Sequence, residues 1–276
     1  MKSNQITVQS GYAPVNGLEL YYEIHGSATE GQPPLILLHG AFSAIGTSFG
    51  GILPELAKHR QVIGVELQGH GHTADIDRPL RVPQMAEDVA ALIQYLELEQ
   101  VDLFGYSMGA GVALEVAVQH PELIHKLVLA SLSYNKDGLQ PGLTEGLAAM
   151  KPEYLFGTPW HEEYLRTAPR SEDFPNLVAK VTDMNMNLPN WPAAALQAIK
   201  APVLTIIGDA DIVRPEHAVE MFRRFGGGVM GDTPAGLPNA QLAILPGTSH
   251  VTVVAQTDLL LTIIPPFLDA AVKPAE

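Results

Sequence analysis

The chain has 276 residues, 46% of them hydrophobic and 17% charged, which suits one large core or a core with an insertion, since single cores rarely grow beyond about 250–300 residues. Thirty Asp and Glu against sixteen Lys and Arg leave a formal charge of −14, a field that repels phosphate backbones and anionic headgroups and so argues against nucleic-acid and membrane partners. There is no cysteine, which excludes disulfides, a thiolate nucleophile and zinc–thiolate sites.

Residues 1–5 carry no apolar stretch of the secretory kind, so the expectation is a mature chain that starts here and, by default, a cytoplasmic one. Residues 6–8 and 18–24 alternate like a half-buried antiparallel pair, with a turn at Asn16-Gly17. Short apolar runs follow at 35–38, 62–65, 101–104, 127–130, 203–207 and 242–245. Runs of this type fit strands covered on both faces, as in a parallel sheet. Between them lie helix-period segments: Met85, Val89, Leu92 and Leu96 after Pro83, and Val219, Phe222 and Phe225 after Pro215. The β-α-β-α order predicts an α/β fold, a mostly parallel central sheet with helices on both faces and its ligand site along the strands' carboxyl ends.

About 70 residues separate the strand near Ser131 from the one near Pro202, too many for a simple crossover. They hold seven prolines, three methionines and seven aromatics, which predicts a helical cap over 133–201 on a core of 1–132 and 202–276. The bland alternative is a helical excursion without ligand contact. Residues 226–239, rich in Gly and Pro, read as a surface loop. The apolar run 259–264 is cut by Pro265-Pro266 and falls far short of the about 20 residues of a spanning helix, so no membrane span is expected.

Gly105-Tyr106-Ser107-Met108-Gly109, between a strand and an apolar helix, matches the G-x-S-x-G elbow. A sharp strand-to-helix turn holds its serine in strained geometry, and the chain can pass only if the residues two before and two after lack side chains. The turn also aims a helix N-terminus and the Met108 amide at the reacting centre.

With these pieces the chain resembles the α/β-hydrolase superfamily over about residues 17–271. His39-Gly40 after the strand at 35–38 matches the superfamily's His-Gly, and the resemblance implies an oxyanion-hole amide just beyond it, at Ala41 or, as runner-up, Phe42, with Met108 as the second. His39 itself is expected to hold the loop by hydrogen bonding. A serine hydroxyl needs a base, and the base needs an acid to fix its tautomer. The resemblance implies the chain order Ser, acid, His, which gives Ser107, then Asp211 of Gly208-Asp209-Ala210-Asp211, then His250, with Asp209 bracing the loop. Ser249 stands where the superfamily usually has Gly before this His, and Glu66 where it commonly has Asp.

His70-Gly71-His72 with Asp75 invites a metal reading, but the stretch resembles a structural loop of the superfamily; no metal and no cofactor are expected. The expected activity is hydrolysis of a small to medium carboxylic ester through an acyl-enzyme. Two alternatives stay open: a cofactor-free lyase, perhydrolase or carbon–carbon bond hydrolase on the same three residues, and a ligand-binding member of the fold without turnover.

Overall fold

The computed structural model describes residues 8–272, so the expectations for residues 1–5 and for Ile6 fall outside the described residues. Strands β1 (Val8–Val15) and β2 (Leu18–His25) form a hairpin closed by Asn16 and Gly17, with φ of 49° and 84°. A two-residue turn with both φ positive matches strand twist, and Asn-Gly is its preferred sequence. It pins the register Val15↔Leu18, and the first strand therefore runs up to the turn instead of stopping near Val8.

Then come β3 (Leu35–Leu38), β4 (Val62–Val65), β5 (Val101–Tyr106), β6 (Ile124–Ala130), β7 (Val203–Ala210) and β8 (Ala240–Ser249). The eight strands lie in the order β1-β2-β4-β3-β5-β6-β7-β8. β2 runs antiparallel to both its neighbours, and all pairings from β4 to β8 are parallel. Neighbouring residues in a strand face opposite sides, so each strand feeds two cores. Ile36 and Leu38 join the core that holds α3 (Val82–Tyr95) and α4 (Met108–Gln119), while Leu35 and Leu37 join the one with α1 (Ile45–Phe49), α2 (Leu53–Leu56) and α10 (Thr257–Asp269).

Between β6 and β7 the chain forms α5 (Leu143–Ala148), α6 (Pro159–Thr167), α7 (Phe174–Met186) and α8 (Ala193–Ala198), joined by short 3-10 turns. Lys180 on α7 ties this insertion to the body: its Nζ donates to Asp75 Oδ2 at 2.6 Å, Ile76 O at 2.7 Å and Arg78 O at 2.9 Å. Trp191 Nε1 adds a bond to Glu115 Oε2 at 2.5 Å.

Two expectations need correction. On α9 (Pro215–Arg224) the buried residues are His217, Ala218 and Met221, one residue off the periodicity read from Val219 and Phe222, while Phe225, just past the helix, packs against the core as that periodicity predicts. Phe222 instead covers the glycine turn that follows, where a Cβ on Gly227 would lie 2.0 Å from its ring. And Pro265-Pro266 do not cut the last helix, because α10 continues through both. An interior proline costs a helix about 3 kcal/mol; here burial of Ile264, Phe267 and Leu268 opposes that loss, and the buried Lys126 ammonium donates to the carbonyls of Phe267, Leu268 and Ala270. Among the described residues no helix is long and apolar enough to cross a membrane.

Candidate active site

Ser107 joins β5 to α4 with φ 53° and ψ −115°, a conformation that only close packing on all sides can hold. The glycines around it supply that packing. A Cβ on Gly105 would lie 2.3 Å from Gly109 O, and one on Gly109 would lie 2.0 Å from Leu38 O. Gly40 is equally tight, with a virtual Cβ 2.7 Å from the Tyr106 ring. The elbow is thus wedged between β3 and its own helix.

The three residues picked from the sequence meet at the carboxyl ends of β5, β7 and β8. Ser107 Oγ lies 3.0 Å from His250 Nε2, and His250 Nδ1 lies 2.9 Å from Asp211 Oδ1. An ionised carboxylate only accepts, so the imidazole proton sits on Nδ1 and Nε2 is left to accept from the serine hydroxyl. Asp211 is 3% exposed. Burial by itself raises its pKa, but donation from His250, Ser131 and the Val213 amide, with the charge of the His250 ring, outweighs burial and holds the carboxyl below the ordinary range. Asp209 is exposed and takes the amides of Gly247 and Thr248 at 2.9 and 3.1 Å, which lowers its pKa and braces the loop before His250. Ser249, in the place of the usual glycine, bonds Thr252 through both its amide and its hydroxyl, at 2.9 and 3.0 Å.

Met108 opens α4, and amides of a helix's first turn have no intrahelical acceptor. Ala41 and Met108 line one cavity with Ser107 and His250. Phe42, with φ 62°, packs against the core in a turn closed by Ser43 N–H donating to Gly40 O at 3.2 Å. His39 is fully buried and spans two loops: Leu67 N–H donates to its Nε2 at 3.0 Å, so its Nδ1 donates to Gly40 O at 2.8 Å. Burial pushes its pKa down to about 3, which keeps both bonds intact at neutral pH.

The cavity holds about 690 Å³ counting its open mouth. Its wall is mostly apolar, with Leu132 and Leu139 after β6, Leu143 and Leu147 from α5, Met184 from α7 and Trp191 beyond it. His70, His72 and Asp75 are engaged separately: His70 Nδ1 with Gln68 O, His72 Nδ1 with Glu66 Oε2, and Asp75 with Gln68, Asn176 and Lys180. Among the described residues no three His, Asp or Glu side chains converge on one point as metal ligands would.

Residues 33–190, more than half of the chain, match the profile of the alpha/beta hydrolase fold family. The chain belongs to the α/β-hydrolase fold family. A Haemophilus influenzae protein named as an esterase/lipase is 25% identical to it over 271 residues, 91% of this chain and 88% of that one. A Pseudomonas 2-hydroxymuconate semialdehyde hydrolase is 34% identical over 121 residues, 42% of this chain and 41% of that one. Among solved structures, the enol-lactonase from Burkholderia xenovorans LB400 shares the fold at a TM-score of 0.67 and 21% identity, over 94% of this chain and 100% of that one. Its named relatives place this chain among the hydrolases of the α/β-hydrolase fold family.

Two residues of this α/β-hydrolase site are not singled out by the sequence. Ser131, just past β6 with φ 57°, donates its hydroxyl to Asp211 Oδ2 at 2.5 Å. Tyr106, inside the elbow, donates to His250 O at 2.9 Å and fixes the backbone of the loop that carries the ring. Tyr106 stands at a variable position of G-x-S-x-G, which gives the residue there no role, and nothing local singles out Ser131.

Proposed function

We propose that the chain hydrolyses small to medium carboxylic esters through an acyl-enzyme, with Ser107 as nucleophile, His250 as general base and Asp211 as the acid that orients it. The observation that carries this reading is the unbroken relay of 3.0 and 2.9 Å from Ser107 through His250 to Asp211, opening into an apolar cavity. Ser107 Oγ adds to the ester carbonyl while His250 Nε2 takes its proton, and Asp211 steadies the imidazolium. The Ala41 and Met108 amides receive the oxyanion, an interaction worth about 10²–10³ in rate per donor. The imidazolium then protonates the departing alkoxide, an alcohol leaves, and water activated by the same ring releases the acid.

The insertion 133–201 acts as a cap on a core of 1–132 and 202–276, since its α5 and α7 wall the cavity. That wall has no Lys or Arg and His250 is its one titratable residue, so an uncharged ester fits better than an anionic substrate. The Haemophilus relative, named as an esterase/lipase along nearly its whole length, supports the same class. Ser107→Ala is expected to cut turnover of an activated ester by about 10⁴-fold or more and to abolish labelling by a fluorophosphonate. Undiminished turnover, or labelling at another residue, would sink the assignment.

A further inference from the structure

One side chain of the insertion closes the cavity along α4. Trp191, buried between α7 and α8, is held at two points: its amide donates to Tyr134 O at 3.1 Å, and its indole Nε1 donates to Glu115 on α4. Glu115 is itself buried, and its other oxygen takes Gln119 Nε2 at 2.6 Å. The far corner of the indole, Cη2, lies 3.7 Å from where a Cβ on Gly111 would stand, and both Val82 methyl carbons lie 3.8 Å from the same point. Gly111 is one turn past the nucleophile, its amide donating to Ser107 O at 3.1 Å, and Glu115 is one turn farther along the helix. The indole therefore lies lengthwise on α4, with its N–H end at Glu115 and its six-membered ring toward the nucleophile's end of the helix. A helix rises about 1.5 Å per residue, so this ring edge meets the cavity about 6 Å along α4 from Ser107. Gly111, Val82 and Trp191 all line the cavity.

We propose that the acyl chain of the ester lies along α4 and that the Trp191 ring edge, seated on Gly111, sets its greatest length. This rests on the ester-hydrolase reading and narrows its substrate to short acyl groups, butanoyl to hexanoyl. The tetrahedral carbon fixes the direction. Its oxyanion faces the Ala41 and Met108 amides, and its leaving oxygen faces His250 Nε2, which must protonate it. Ile212 and Val213 follow Asp211, which holds the imidazole from behind, so their part of the wall flanks the ring; the part over α4 lies away from it and receives the remaining substituent, the acyl chain. Burying each further methylene there is favourable until the chain meets the indole, which its bonds to Glu115 and Tyr134 keep from swinging aside. Gly111 and Trp191 are therefore specificity residues, distinct from the groups that break the bond.

The test measures kcat/KM for p-nitrophenyl acetate, butyrate, hexanoate and octanoate, which share one leaving group. The wild type is expected to peak at butyrate or hexanoate and to fall about tenfold or more at octanoate, the scale on which an apolar pocket discriminates by chain length. Gly111→Ala suits a helix and meets Trp191 and Val82 at ordinary contact distances, so it should fold and move the peak to a shorter chain; Trp191→Leu should move it to a longer one. Removing the indole also strips Glu115 of a donor, so if Trp191→Leu does not fold, Gly111→Ala decides alone. The ethyl esters of the same acids are compared as ligands, by calorimetry, in Ser107→Ala and in Ser107→Ala/Gly111→Ala. If binding shows the length limit and its shift but wild type turns over no ester, the hydrolase reading fails and the pocket floor stands. A wild-type profile still rising at octanoate, or chain-length ratios that Gly111→Ala leaves in place in both readouts, would overturn the proposal. So would a shift that appears only when the alcohol is lengthened instead, in ethyl, butyl and hexyl acetates, because the floor would then belong to the leaving group.

Discussion

Two buried aspartates meet a histidine ring in this fold, at opposite ends of the sheet. Asp211, past the carboxyl end of β7, accepts from His250 Nδ1 at 2.9 Å; Asp102, at the amino end of β5, pairs with His125 Nδ1 at 2.7 Å. Their side chains are sealed alike, at 0% and 1% exposure. The difference lies in the second carboxylate oxygen. Asp102 Oδ2 takes the buried Arg60 guanidinium at 3.0 Å, a fixed cation that already neutralises it. Asp211 Oδ2 takes the Ser131 hydroxyl at 2.5 Å and the Gly208 amide at 3.3 Å, neutral donors that leave its charge for an imidazolium. The far side of each ring completes the contrast, with His250 facing Ser107 in the cavity and His125 lying half-buried at a surface groove. On the proposed reading, the same pair of side chains serves proton transfer in one place and holds the fold together in the other, according to its third partner.

The sharpest way to break this comparison is to neutralise each aspartate without changing its shape. In Asp211→Asn the amide can donate to Nδ1, which leaves the imidazole proton on Nε2 and the serine without an acceptor. A loss of about 10⁴-fold in kcat is expected, with little change in KM. Asp102→Asn should do the reverse, sparing turnover and lowering stability by about 3 kcal/mol, because Arg60 loses its buried anion. Its remaining partner is Asp269, at 2.5 Å but with a side chain 54% exposed. Ester kinetics beside a denaturant titration of both variants separates the two roles; equal kinetic losses would erase the distinction.

The contrast also marks how far the sequence could be read. Ser107 and His250 were legible because each follows a short apolar run, and a parallel sheet delivers such strand ends to one edge. The choice of Asp211 over Asp209 rested on resemblance, since two aspartates two residues apart would face the same side of a regular strand. A register shift between Gly208 and Ala210 breaks that regularity, so Asp209 reaches the Gly247 and Thr248 amides while Asp211 turns to His250. No residue type announces such a shift. Ser131 was illegible for a similar reason: its left-handed φ is set by contacts from β7, where Ile206 O accepts its amide at 2.8 Å. The α9 stripe and the unbroken α10 were misread because local rules for periodicity and proline yield to tertiary packing.

The smallest expected effect sharpens the comparison most, because it tests the second oxygen directly. Ser131→Ala removes the hydroxyl from Asp211 Oδ2 and leaves the Gly208 amide, at a longer 3.3 Å. One hydrogen bond to a buried carboxylate is worth about 1–2 kcal/mol, so kcat should fall about 5- to 30-fold with KM little moved. The acid side supplies an independent readout. Asp211 is held below its ordinary value in the folded chain, so its ionisation stabilises the native state above the unfolded pKa of about 3.9, and that contribution disappears as pH falls through the folded value. Losing a donor raises the folded value, which narrows this window and moves the onset of acid unfolding to higher pH. Following intrinsic fluorescence from about pH 6 down to about pH 2 should show Ser131→Ala unfolding at higher pH than the wild type, while denaturant titrations should find its loss of stability in full near neutrality and fading as pH falls below the folded value. Superimposable acid profiles together with unchanged kcat would mean that the second oxygen is idle, and that Asp211 differs from Asp102 only in the company its histidine keeps.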